Sequence, residues 1–117
     1  MKPFKENVIS VCKDLLSSSS LSTFFYNLKG KGGIYMFTLK NNSNIYYIGR
    51  AKNFQKRLKS HLNVNLNDRF HAFAKTVGWD KLEFSVIEIC NLNMQKDREN
   101  YYELAGPSGT NKNSYLY

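Results

Sequence analysis

The sequence predicts an α/β protein of the α+β kind: a small, mostly antiparallel three-stranded sheet flanked by helices. Three observations carry this. Residues 33–39 (GIYMFTL) and 45–48 (IYYI) are rich in β-branched and aromatic side chains, and the turn-forming Asn41-Asn42-Ser43-Asn44 lies between them, which makes a hairpin. A third apolar run, 82–89 (LEFSVIEI), alternates in part and stands apart from the hairpin. Helical patterns fill the spaces before and after it, and a hairpin plus a lone strand among helices is best buried as one sheet under a helical cover.

Taken in order, residues 4–16 can be written as a short helix, with Phe4, Val8, Val11, Cys12 and Leu15 at helical spacing. The serines of 17–20 and Ser22 read as a linker or turn. Past the hairpin, Asn53 is a good N-cap for a helix running to about His61 or Leu62. Asp68 can cap a second helix over about 69–77 that stops at Gly78, and 94–104 reads as a third. Gly106-Pro107-Ser108-Gly109 breaks that helix. The expected division is an N-terminal helix and linker (1–31), a globular body (32–105) and a divergent or truncated tail (106–117).

Composition narrows the function class. A length of 117 residues fits one domain with one core, and 42% apolar with 15% aromatic residues argues against disorder. No apolar run approaches the ~18 residues of a membrane span, so no membrane partner is expected. Glu6 and Asp14 make the N-terminus a poor signal or transit peptide. Cys12 and Cys90 form no CxxC and read as two reduced thiols. The formal charge is +8, and all of it lies in one stretch: between Asp14 and Asp68 there is no acid but eight cations, Lys29, Lys31, Lys40, Arg50, Lys52, Lys56, Arg57 and Lys59. Such a stretch suits a polyanion. Fourteen asparagines, with abundant Lys, Tyr, Phe and Ile, point to AT-rich codons.

Within that stretch some side chains could do chemistry. Tyr35 stands on one hairpin strand, Tyr46 and Tyr47 on the other. An odd loop puts Tyr35 and Tyr47 on one face and an even loop substitutes Tyr46; local sequence leaves both open. Gly33 and Gly49 flank the tyrosines and would let a ligand approach the backbone. On the helix after Asn53, Phe54, Leu58 and Leu62 make an apolar stripe with Arg57 and His61 at its edge, whereas Lys56 and Lys59 point to the far side. A planar guanidinium can clamp a phosphate, and an imidazole can move a proton near neutral pH. Glu99 in the last helix is one hard oxygen donor, which suits Mg²⁺ retaining several waters, although helical phase does not single it out.

As an ordered set, Gly33-Ile34-Tyr35, eleven residues, Tyr47-Ile48-Gly49, then Arg57, His61 and Glu99 resembles the GIY-YIG nuclease family, over about residues 32–102. The string GGIYMFTLKNNSNIYYIGRAKNFQKRLKSHL is similar to intron-encoded homing endonucleases of mitochondrial group I introns. The resemblance implies a divalent-metal-dependent DNA endonuclease. Tyr35 would activate the attacking water and Tyr47 assist through the same hydrogen-bond network, which also favours the odd loop. Arg57 would stabilise the phosphate, His61 matches the helix histidine, and Glu99 would bind the cation, Mg²⁺ or another divalent ion such as Mn²⁺. Arg50, Lys52, Lys56 and Lys59 are expected DNA contacts, and His71 and Asn111 are further candidates. The partner implied is double-stranded DNA, bound mainly through phosphates by a solitary domain, with a monomer as the simplest state and a mitochondrial, organelle-encoded origin. The alternative is a catalytically weakened nucleic-acid-binding remnant of such an enzyme.

Overall fold

The computed structural model describes residues 7–63 and 68–105. Its sheet has four strands rather than three: β1 (Ser10–Cys12), β2 (Gly33–Leu39), β3 (Asn42–Ala51) and β4 (Leu82–Ile89), in the order β1-β4-β2-β3 with every pair antiparallel. The helices are α1 (Ser18–Phe25), α2 (Phe54–Asn63), α3 (Arg69–Val77) and α4 (Leu92–Ala105).

The N-terminal expectation is corrected. Residues 7–16 hold no α-helix, and residues 4–6 lie outside the described residues. Val8, Ile9 and Val11 are β-branched, and the segment pairs with the otherwise open edge of β4, Cys12 opposite Phe84. The serine run is also not a linker. Ser17 is in extended conformation and its hydroxyl accepts the Ser20 N–H at 3.2 Å, so the run caps and starts α1. Cys12, Leu15, Phe25 and Leu28 all enter the main core, which makes this segment part of the same body as the rest.

Elsewhere local signals place the elements. Asn53 Oδ1 accepts the Lys56 N–H at 3.0 Å and opens α2. Asp68 caps α3, and Gly78, with φ of 94°, closes it.

The sheet separates two cores. Tyr35, Phe37, Phe84 and Val86 face α1, α2 and α3, packing with Phe25, Phe54, Leu58 and Phe70. Ile34, Met36, Tyr46, Ile48 and Ile87 face α4 and meet Tyr102. The hairpin settles the parity of the tyrosines. Tyr35 pairs with Gly49 and Phe37 with Tyr47, so Tyr35 and Tyr47 share a face and Tyr46 lies on the other. The strands themselves are joined across two residues, Lys40 and Asn41, and a register shift after Thr38 absorbs the difference. A second shift, between Ile34 and Tyr35 on the β4 side, turns both Ile87 and Glu88 toward α4.

Candidate active site

Gly49 determines where Tyr35 goes. The Tyr35 ring lies across Gly49 of the edge strand, and a Cβ there would collide with the ring's Cζ and hydroxyl. Gly33 is packed against the backbone carbonyl of Glu88. Gly33 therefore serves close backbone packing, whereas Gly49 makes room for the Tyr35 ring and also lines the cleft. The ring also stacks on Phe84 with centroids 5.1 Å apart. Tyr35 is 2% exposed, and its hydroxyl is 2.7 Å from His61 Nε2.

His61 is buried because α2 turns its apolar stripe, Phe54 and Leu58, onto the sheet and carries the imidazole along its edge. Phe37 and Phe70 enclose the ring edge-on at 5.2 and 5.7 Å. His61 Nδ1 is 3.0 Å from His71 Nε2, and His71 Nδ1 is 2.7 Å from Asp68 Oδ2. Tyr35, His61, His71 and Asp68 thus form one continuous hydrogen-bonded chain. Tyr47 is half-buried beside it, stacked on Phe70 with centroids 4.4 Å apart.

Burial sets the electrostatics of this side. It pushes the Tyr35 phenol well above its usual range, Tyr47 adds to the rise, and Arg57 opposes it without overcoming it. Burial, followed by the nearby His71 and Arg57, lowers His61 to about 4, so the ring is neutral at neutral pH. Burial works against the Asp68 carboxylate, but hydrogen bonds from the His71 backbone and ring hold it below the ordinary range.

Glu99 reaches the same place from α4. The Arg98 guanidinium clamps Glu88, with Nε 2.9 and 2.8 Å from its two oxygens, and the Tyr102 hydroxyl donates to Glu88 at 2.9 Å. These bonds fasten α4 to β4, and Glu99, next in sequence, falls at the rim of the cleft. Arg50 Nη1 donates to Glu99 Oε1 at 3.3 Å. The Arg57 Nε donates to the Arg50 carbonyl at 3.4 Å.

The result is a cleft of about 300 Å³ lined by Tyr35, Tyr47, Gly49, Arg50, Arg57, His61, Asp68, His71 and Glu99. All five residues expected at the centre are brought together, and His71 joins them. Lys52 and Lys56 line a shallow groove with Asn53 and Ser60 that meets the cleft at Arg57, so Lys56 lies nearer the site than its helical phase suggests. Lys59 is exposed and lines neither. Arg50 pairs with Glu99 at the rim of the cleft. Asn111 lies outside the described residues. Asp68 was legible only as a helix cap. The signal that could have found it is its spacing: an Asp N-cap three residues before a histidine can reach both its backbone and its ring.

A family model described as "GIY-YIG catalytic domain" matches residues 31–112. UvrABC system protein C from Thermosipho africanus is 49% identical over 39 residues, which is 33% of this chain and 7% of that relative. The chain therefore matches a small part of that relative's length. No solved structure matches the chain.

Proposed function

Because the chain belongs to the GIY-YIG catalytic domain family and so carries an endonuclease domain, a phosphodiester hydrolase, we propose that it cuts double-stranded DNA with the help of one divalent cation, as a homing endonuclease encoded within an organelle intron. One observation supports the catalytic part most: Tyr35, Arg57 and Glu99, from three different elements, line one cleft. The intron and mitochondrial parts rest on the resemblance of the hairpin string and on the asparagine-rich, AT-biased composition.

Each residue has a part that its position suits. The Tyr35 hydroxyl contacts neutral His61, which can take its proton as the phenol takes one from an attacking water. A phenol this buried is not ionised beforehand, so the transfer accompanies attack. Arg57, exposed where cleft and basic groove meet, is placed to hold the phosphate and offset the charge that builds on it. Lys52 and Lys56 continue the cationic track for neighbouring phosphates.

The donor set fits a hard cation. The Glu99 side chain is 20% exposed at the cleft rim. Among the described residues no three His, Cys, Asp or Glu form a group that could hold a metal ion by themselves, so a cation at Glu99 would be held by one protein carboxylate with water and substrate phosphate, as suits Mg²⁺ or Mn²⁺. When bound, it supplies Lewis-acid stabilisation of the phosphate charge and the departing oxygen.

Plasmid nicking with Mg²⁺ or Mn²⁺ tests the reading. Wild-type protein is expected to nick, and Glu99→Ala or Arg57→Ala to lose roughly 10²–10³-fold. No nicking by the wild type, or nicking indifferent to both substitutions, would overturn it. Salt-sensitive binding without cleavage would favour the remnant instead.

A further inference from the structure

Asp68 does two things at once. Its Oδ1 accepts the His71 backbone N–H at 3.0 Å and caps α3, while Oδ2 meets His71 Nδ1 at 2.7 Å. The carboxylate is 51% exposed, whereas the His71 side chain is only 4% exposed. One end of the chain therefore touches solvent, and its middle does not.

Each link in the chain needs one proton, and with one proton on each imidazole the Asp68 charge decides where all of them sit. An ionised carboxylate only accepts, so His71 must donate from Nδ1. A singly protonated His71 then offers Nε2 as an acceptor, so His61 must donate from Nδ1. The His61 Nε2 is left as an acceptor, and the Tyr35 hydroxyl must donate to it. All three bonds point from Tyr35 toward Asp68.

We propose, resting on the reading of this cleft as a phosphodiester-hydrolysing site, that Asp68 is a positioning residue that sets the direction of the Tyr35–His61–His71 chain, so that the Tyr35 hydroxyl turns its proton inward and its lone pairs toward the attacking water. The proton count closes. As the water oxygen bonds to phosphorus, one water proton passes to the Tyr35 oxygen and the Tyr35 proton passes to His61 Nε2. The His61 Nδ1 proton moves on to His71 Nε2, which leaves His61 neutral in its dry site and an imidazolium on His71 against the Asp68 carboxylate. The bond from phosphorus to the leaving oxygen breaks with its electron pair on that oxygen, which takes a proton from solvent. The same hops in reverse return the stored proton through Tyr35 to solvent after product leaves, and every tautomer is restored.

Asp68→Asn tests this, because Asn caps a helix as well as Asp does. Its amide oxygen keeps the cap, and its NH₂ now faces His71 Nδ1. That forces the proton to His71 Nε2, then to His61 Nε2, and the Tyr35 oxygen becomes an acceptor. Nitrogen-15 NMR of the full chain should show both histidines as Nδ1–H tautomers in the wild type and as Nε2–H tautomers in Asp68→Asn. Single-turnover cleavage of plasmid DNA with Mg²⁺ should fall about 10²–10³-fold with DNA affinity unchanged. Asp68→Ser, which caps without a second oxygen, should leave the melting temperature near that of Asp68→Asn and also slow cleavage. Wild-type histidines in the Nε2–H form would overturn the proposal even if neither variant folds. Cleavage by Asp68→Asn at the wild-type rate would overturn it too. Absence of nicking by the wild type would sink only the nuclease reading, since the tautomers still uphold or refute the direction assigned to Asp68.

Discussion

The two walls of the cleft are built on opposite physical principles. On the α2–α3 side, Tyr35, His61 and His71 are buried among Phe37, Phe70 and Phe84, and their polar atoms are satisfied by one another at 2.7 and 3.0 Å. On the α4 side, Arg50 and Glu99 meet at 3.3 Å with side chains 43% and 20% exposed. A buried polar chain is costly unless fully paired, and once paired it is held in one arrangement. An exposed ion pair is weak and exchanges readily with water and ions. On the proposed reading, the dry wall is the one preorganised to move a proton, and the wet wall the one that takes up phosphate and cation.

The largest expected break of this contrast is Phe70→Ala. Phe70 stacks on Tyr47 and meets His61 edge-on, so its loss opens the dry wall to water. Urea unfolding should show a loss of about 3–5 kcal/mol.

Next comes pH. Tyr35 and Tyr47 from the sheet, Arg57 from α2, Asp68 and His71 from α3 and Glu99 from α4 gather around or near the His61 ring. In the unfolded chain His61 protonates near 6.5, but in the folded protein only near about 4. Between those values the unfolded state binds more protons. The contribution of neutral His61 is therefore complete above pH 6.5 and is lost as pH falls toward 4. The loss should be on the order of 3 kcal/mol, read as a fall in urea midpoint that His61→Gln flattens. The smallest effect belongs to the wet wall: Arg50→Ala should change stability by less than about 1 kcal/mol in the same assay.

How much of this was readable in the sequence depended on whether the signal was local. Helix α3 and strand β4 were legible to the residue, because Asp68, Gly78 and the alternation of 82–89 act over a few positions. The pairing of β1 was not, since an edge strand is defined by its partner, here Phe84 and Val86, far along the chain. The hairpin left Tyr46 and Tyr47 undecided, because parity depends on the register and not on the turn residues. Arg57 and His61 were legible as the edge of a helical stripe. Glu99 was not, because its place is set by the grip of Arg98 and Tyr102 on Glu88, which helical phase does not encode. The link between His61 and His71 depends on how two helices dock, and only that docking turns Asp68 from a cap into the end of a chain.

In the proposed reaction the Tyr35 hydroxyl passes the proton of the attacking water into the dry wall. Single-turnover cleavage of plasmid DNA by Tyr35→Phe measures it most directly. The phenyl ring still fills the space above Gly49 and against Phe84, so fold and DNA affinity should persist. The rate should fall by about 10²–10⁴-fold. A rate within a few-fold of the wild type would contradict it.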